Sequence, residues 1–365
     1  MELIDDDGRL FGAVNVIDAL VVLVIVAVVV AGAAFVLSDD PAPAPDTETT
    51  YATLDLGVQE SYIVDAIEEG DTYEPDGSST LRVTDVHLTP QDGNARVLLR
   101  VALEGQLNNQ NNLVYAGAPP RLGRSLTLET NRYTVTGQLR EVGESDALTQ
   151  SQQRVTLTTE LDAGTAEAIR PGDEIRVAGR TVAQIEDVTT YATNTTKRRV
   201  FAAVSLTAHH QQGERRFSGQ PLRRGQTITL PTEEYVLDGQ IEQVGGDGSL
   251  GAMTTRTVTL RMEDVREDYA DAIEPGMIER TGDTTVARIT DVETEPSLII
   301  ATGEDGSINV ADHPVNRDVT ITADLQLRET PAGLTFKGDQ LRQGSTVVLD
   351  LGTVTVEAEV VMATQ

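Results

Sequence analysis

The sequence predicts a mainly β chain: one N-terminal transmembrane helix followed by three tandem small β-barrel or sandwich modules of about 100 residues. Three observations carry this expectation. Residues 19–37 form an uninterrupted apolar run. One phrase is written three times, as YAGAPPRLGRSLTL at 115–128, FSGQPLRRGQTITL at 217–230 and FKGDQLRQGSTVVL at 336–349. Within each copy, apolar residues alternate with period two, the pattern of half-buried strands.

Taken in order, residues 1–13 read as a cytoplasmic N-terminal segment and 14–37 as the transmembrane helix. An apolar run of this length spans the roughly 30 Å hydrocarbon core of a bilayer. The acidic start MELIDDDGRL and the length of the run favour a retained anchor over a cleaved signal peptide. Asn15 and Asp18 have the spacing of a helix N-cap with an acidic third residue, and are expected to cap the span. Arg9 is the only basic residue of the N-terminal flank, and none follows the span until Arg82. This bias places the N-terminus inside the cell membrane and residues 38–365 outside it. Asp5, Asp6 and Asp7 lack the alternating ligands and closing glutamate of a calcium loop.

The opening DDDGRLFGAVNVIDALVVLV resembles the N-terminal signature of a family of uncharacterised, membrane-anchored proteins of halophilic archaea and some bacteria. In that family GRLFG precedes an Asn and an Asp at the start of a single span. The resemblance implies a membrane protein with a β-rich domain of unknown function, and supplies no chemistry.

Residues 38–50, SDDPAPAPDTETT, are a Pro, Ala and acid-rich linker that prefers extended polyproline II geometry. The repeats follow at 51–150, 151–252 and 253–365. Asp65-Ala66-Ile67 returns as Glu167-Ala168-Ile169 and Asp271-Ala272-Ile273, and Asp85-Val86 as Asp187-Val188 and Asp291-Val292. Collinear matches at nearly constant offset identify diverged copies of one module. In the third copy an insertion around ATGEDGSINVADHP precedes the repeated phrase. Val97, Leu99, Val101 and Leu103 share one strand face, as do Val200, Ala202, Val204 and Leu206. GTAEAIRPG and REDYADAIEPG read as short helical turns, and Asp-Gly pairs at 76, 92, 247 and 305 mark tight turns.

The formal net charge of -30, with only Lys197 and Lys337 as lysines, fits a salt-adapted acidic surface. At molar salt the Debye length is about 3 Å, which mutes self-repulsion. Nucleic acid is excluded as a partner for want of a basic patch. The absence of cysteine excludes disulfides, thiolate metal sites and a cysteine nucleophile.

Each phrase is framed by an aromatic residue (Tyr115, Phe217, Phe336) and two glycines (Gly117 and Gly123, Gly219 and Gly225, Gly338 and Gly344) expected to supply backbone angles that other residues resist. The arginine within each frame, Arg121, Arg223 or Arg342, is either paired with a nearby carboxylate or a candidate contact to an anion or partner. Asn194-Thr195-Thr196 is a candidate N-glycosylation site, usable only outside the cell.

Of four histidines, His87, His209, His210 and His313, the adjacent pair lies in a predicted strand, so its side chains point to opposite faces and do not share a metal. Asp85, Asp187 and Asp291 end strands, where a carboxylate ordinarily bonds the turn backbone. No catalytic, cofactor-binding or metal residues are assigned, no cofactor is expected, and the chain is not expected to be an enzyme.

The segment LDAGTAEAIRPGDEIRVAGRTVAQIEDV, 161–188, is similar to the mammalian-cell-entry domains of lipid-transport systems. The resemblance implies extracytoplasmic barrels behind one N-terminal span, assembled as hexameric rings. This chain departs from the pattern at Ala183, at Met277, and in the first copy, which lacks the proline. The expected function is a non-enzymatic, membrane-anchored cell-envelope scaffold that binds a protein or an envelope polymer. The alternative is a homo-oligomeric carrier of lipid, for which apolar residues such as Leu298, Ile299 and Ile300 would face a lumen. A third reading, a hydrolase of envelope polymers, requires a pair of carboxylates brought together by the fold.

Overall fold

The structure is a computed structural model that describes residues 9–10, 14–15, 21, 23–29, 47–246, 250–302 and 308–363. From Thr47 on, the described chain is three copies of one antiparallel sheet. Module 1 comprises β1 (Thr47–Gln59), α1 (Ser61–Ala66), β2 (Thr72–Tyr73), β3 (Thr80–Gln91), β4 (Asn94–Leu107), β5 (Leu113–Val114), β6 (Ser125–Glu129) and β7 (Thr134–Gly143). Module 2 comprises β8 (Gln150–Asp162), α2 (Ala163–Ala168), β9 (Glu174–Val177), β10 (Arg180–Ala192), β11 (Lys197–Gln211), β12 (Glu214–Phe217), β13 (Gln220–Pro221), β14 (Thr227–Pro231) and β15 (Val236–Val244). Module 3 comprises β16 (Met253–Arg266), α3 (Glu267–Ala270), β17 (Ile278–Thr281), β18 (Thr284–Thr302), β19 (Ile308–Thr330), β20 (Gly333–Phe336), β21 (Asp339–Gln340), β22 (Thr346–Asp350) and β23 (Thr355–Ala363).

The strand order is β2-β3-β4-β1-β7-β6 in module 1, and the corresponding strands follow it in the other two modules. The alternation seen in sequence is what curls each sheet around its own core. Val97, Leu99, Val101 and Leu103 on β4, and Val200, Ala202, Val204 and Leu206 on β11, are all at most 1% exposed. Full burial of such side chains contributes about 1.5–3 kcal/mol each, so this face fixes the register. The irregularities recur as well. The ladder to the central strand skips Thr84 in β3, Glu186 in β10 and Thr290 in β18, one bulge per module at one place. Gly70, Gly172 and Gly276, at φ 96°, 100° and 94°, donate to Val83, Ile185 and Ile289 carbonyls after each helical turn.

The expected barrel is not closed by hydrogen bonding. No ladder joins β2 to β6, β9 to β14 or β17 to β22 among the described residues. In modules 1 and 2 a tyrosine spans the seam instead: Tyr133 Oη donates to Asp71 at 2.5 Å, and Tyr235 Oη to Asp173 at 2.5 Å. In module 3 the aligned positions hold Met277 and Val354, both packed on the core, and a different tyrosine makes the neighbouring polar bond: Tyr269 Oη donates to Thr355 O at 2.5 Å. One buried apolar cluster takes in modules 1 and 2 together, from Ala52 to Ile241, and a second holds module 3.

One boundary in the N-terminal part is changed, and the remaining expectations there lie largely outside the described residues. β1 begins at Thr47, so it takes in the last four residues, Thr47–Thr50, of the expected linker, where β-branched residues pair with β4. Asn15 lies in a two-residue ladder, opposite Arg9. Asp18, the capping partner, falls outside the described residues, as do the Asp-Gly pairs at 247 and 305. Of the expected span, Val21 and residues 23–29 are described; they are helical, and Val21, Leu23, Val24, Ile25, Val26, Val28 and Val29 are exposed. No helix among the described residues is long and apolar enough to cross a membrane.

Candidate functional site

The thrice-written phrase is the device by which one module docks on the next. In each copy the aromatic residue is buried, Tyr115 at 1%, Phe217 at 2% and Phe336 at 4% exposure. The two residues after it turn the chain with positive φ: Ala116 and Gly117 at 44° and 73°, Ser218 and Gly219 at 48° and 75°, Lys337 and Gly338 at 53° and 95°. The second glycine of each frame, Gly123, Gly225 or Gly344, then donates to Leu139, Ile241 or Val360 and starts the next strand pair.

The turns of modules 2 and 3 press on the module before them. Ser218 Oγ donates to Pro90 O of module 1 at 2.7 Å, and a Cβ on Gly219 would stand 2.7 Å from Arg96 Nε. One module later, Lys337 Nζ donates to Ala192 O at 3.4 Å, and a Cβ on Gly338 would stand 2.8 Å from Phe201 Cζ. Lys337 goes further: its ammonium is buried on Glu279 Oε1 at 2.6 Å and Val348 O at 2.7 Å, with 6% and 4% of the two charged side chains exposed. Burial pushes the Glu279 carboxyl up and the Lys337 amine down, and each partner opposes the other's shift. Arg199 completes this junction, bonding Lys337 O at 3.1 Å and Asp339 at 2.6 Å. The turn of module 1 is held differently. Arg124, which the sequence reading did not single out, donates to the carbonyls of Tyr115 at 2.9 Å, Ala116 at 3.1 Å and Ala118 at 2.5 Å.

The expected site residues fall on separate modules and do not converge. Arg223 pairs with Glu214, Arg342 bonds the Gln340 amide, and the Arg121 side chain is exposed without a partner among the described residues. Asn194 is exposed in a tight turn, its Oδ1 accepting from Thr196 N and Lys197 N. Asp85 bonds the backbone of Val86 and of Leu148, tying module 1 to the entry of module 2. His209 and His210 do point apart: His210 meets Ser151 Oγ at 2.7 Å, while His209 crosses the junction and packs on His87, ring centroids 5.1 Å apart. That cross-module pair had no signal in sequence spacing. Burial lowers both imidazoles, His209 to about 3, with His87 and Arg216 adding to its shift. No group of three or more metal-ligating side chains occurs among the described residues.

A cleft of about 790 Å³ opens between modules 2 and 3. Tyr191 and Phe201 form part of its wall edge to face, centroids 6.0 Å apart at 73°, with Phe336 of the docking turn nearby. Arg199, Arg224 and Arg328 line it, as do Gln243 and Gln326, whose buried side-chain oxygens have no partner among the described residues. Of its three carboxylates, Glu242 pairs with Arg224 at 3.3 Å and Asp339 with Arg199 at 2.6 Å, while Glu329 has no ion pair among the described residues. Aromatic faces, amide groups and guanidinium donors together suit a hydroxyl-rich ligand better than a bare hydrocarbon.

A second exposed feature is the insertion of module 3, which lengthens the β18–β19 hairpin. Ile300 lies opposite Val310, and Leu298 and Ile308 share their face. These four are 58–70% exposed. The hairpin is kinked at its base, where His313 Nδ1 accepts from Val315 N and Asn316 N at 3.2 and 2.7 Å.

A family model described as Domain of unknown function (DUF4330) matches residues 1–91 and 252–364, more than half of the chain. No curated protein and no solved structure matches.

Proposed function

Starting from a chain that belongs to the DUF4330 family, we propose a non-enzymatic cell-envelope scaffold, anchored by a single N-terminal span, whose three extracytoplasmic modules bind an envelope polymer. The observation that carries this reading is the cleft of about 790 Å³ at the second junction, with its aromatic wall and the Oε1 atoms of Gln243 and Gln326, buried without a partner among the described residues. It is built from two modules, so docking through the repeated turn is what forms it. Engagement of Glu242 and Asp339 by arginine leaves Glu329 as a single carboxylate without an ion pair in the cleft, which favours binding over acid–base chemistry, since polymer hydrolysis asks for a free carboxylate pair. The apolar run at 19–37 supports the anchor.

The test is co-sedimentation of the full chain, in detergent at molar salt, with a purified insoluble neutral polysaccharide and with its uronate-containing counterpart. Binding to either one that falls at least tenfold in Arg328→Ala or Phe201→Ala supports the reading. Binding to neither, or binding indifferent to both substitutions, removes it.

The exposed hairpin favours one second reading, a homo-oligomeric carrier of apolar molecules. Leu298 and Ile300 present the apolar surface that a shared lumen needs. A ring-sized mass with co-purifying lipid would support this reading; a lipid-free monomer would sink it.

A further inference from the structure

At the junction between modules 1 and 2 an open cavity of about 380 Å³ is lined by Asp55, Arg96, Arg140, His209, Arg216 and Gly219, among others. Asp55, Arg96 and Arg140 come from β1, β4 and β7 of module 1, whereas His209 and Arg216 come from β11 and β12 of module 2. The site therefore exists only while the two modules are docked. In a chain of formal net charge -30, three guanidinium groups here face one carboxylate.

That carboxylate is shared. Asp55 Oδ2 accepts from Arg96 Nη2 at 2.6 Å and from Arg140 Nε at 3.3 Å. Arg216 donates to Glu214 at 3.2 Å and to Gly219 O at 2.7 Å. A guanidinium has five N–H donors, so most of those at this site remain unused. His209, only 4% exposed, has a ring nitrogen, Nδ1, without a partner among the described residues, and Arg96 Nε is likewise buried and unbonded among them. The positive surroundings act on the imidazole already: Arg216 and Arg96 both disfavour its protonation, and Asp55 alone opposes them.

We propose that this cavity binds a phosphate monoester, held by Arg96, Arg140 and Arg216. A carboxylate has two oxygens and satisfies one guanidinium fork, whereas a phosphate ester presents three acceptor oxygens and close to two negative charges at neutral pH. The volume lies within the range of roughly 300–1,000 Å³ typical of small-molecule sites, which leaves room for the esterified group beside the phosphate. The site is independent of the polymer cleft, lies at the other junction, and does not require the anchor.

Calorimetric titration of glycerol 3-phosphate and of inorganic phosphate into the full chain in detergent, at constant ionic strength, tests it. Saturable binding is expected, weakened at least tenfold in Arg140→Gln and in Arg216→Gln and unchanged in Arg82→Gln. Thermal unfolding verifies that each variant is folded, and Arg140→Lys, which keeps the charge without the fork, substitutes should Arg140→Gln fail to fold; it is expected to bind more weakly than the parent. Binding that no arginine substitution at the cavity changes, or no saturable heat from either probe, overturns the proposal. Competition by short-chain phosphatidate below its micellar concentration separates the sources of the phosphate. Stronger competition than by glycerol 3-phosphate identifies a lipid headgroup, and equal competition identifies a free ester.

Discussion

Single residues decide how firmly the modules hold one another. Lys337 and Glu279 form an ion pair in which both side chains are nearly inaccessible. Breaking such a pair leaves one buried charge without its partner, so Glu279→Gln is expected to destabilise module 3 by about 3–5 kcal/mol in denaturant unfolding at molar salt. The double substitution Glu279→Leu with Lys337→Met removes both charges and is expected to recover most of that loss. The His87 and His209 imidazoles give the first junction a different sensitivity. Their protonation is easier in the unfolded chain, where the usual histidine value near 6.5 applies, than in the fold, where His209 is held at about 3. The unfolded state therefore binds more protons throughout that window, and stability falls as the pH falls from about 6.5 toward 3. Arg216 and Arg96 strengthen the effect and Asp55 weakens it. His209→Leu is expected to lose less stability between pH 7 and pH 4 than the parent chain, a difference of midpoints that cancels the many surface carboxylates common to both.

At the scale of elements, the docking turn and the long hairpin set the local rules. A substitution at Gly117 meets nothing within 4 Å, so Gly117→Ala faces only its positive φ of 73° and is expected to cost on the order of 1 kcal/mol. Gly338→Ala adds a clash with the Phe201 ring at 2.8 Å to a φ of 95° and is expected to lower the melting temperature more. Equal shifts for the two substitutions would show that the turn of module 3 does not press on module 2. The β18–β19 hairpin carries Leu298, Ile300, Ile308 and Val310 on one exposed face, and a two-stranded ribbon alone is marginal in water. Ile300→Asp is expected to reduce self-association at molar salt, read as mass by light scattering, while leaving the unfolding midpoint within about 0.5 kcal/mol of the parent.

The whole molecule divides unequally. Modules 1 and 2 share one buried cluster and module 3 has its own, joined to module 2 by hydrogen bonds and ion pairs through Lys337, Arg198 and Arg199. Calorimetry is therefore expected to resolve two transitions, with modules 1 and 2 melting together. A single transition that no Lys337 substitution splits would show the junctions to be equally strong. Lowering the salt should move both transitions down, because a net charge of -30 repels itself more as screening is removed.

The sequence by itself determined the repeat, the alternating faces and the turn glycines, because these are local properties. Val97 to Leu103 read as one buried face and are one, and Gly117, Gly219 and Gly338 read as positive-φ positions and are that. The matching bulges at Thr84, Glu186 and Thr290 were present only as a constant offset between Asp-Val pairs. What only the tertiary structure decided is what meets across modules. Nothing in the spacing of His87 and His209, or of Arg96 and Arg140 with Arg216, brings them together; the docking of one turn on the preceding sheet does, while Lys337 and Glu279 meet within module 3 through the fold of that module. The arginines at Arg121, Arg223 and Arg342 repeat along the chain, but repetition spaces equivalent residues one module apart, whereas a site forms where unlike positions of adjacent modules converge.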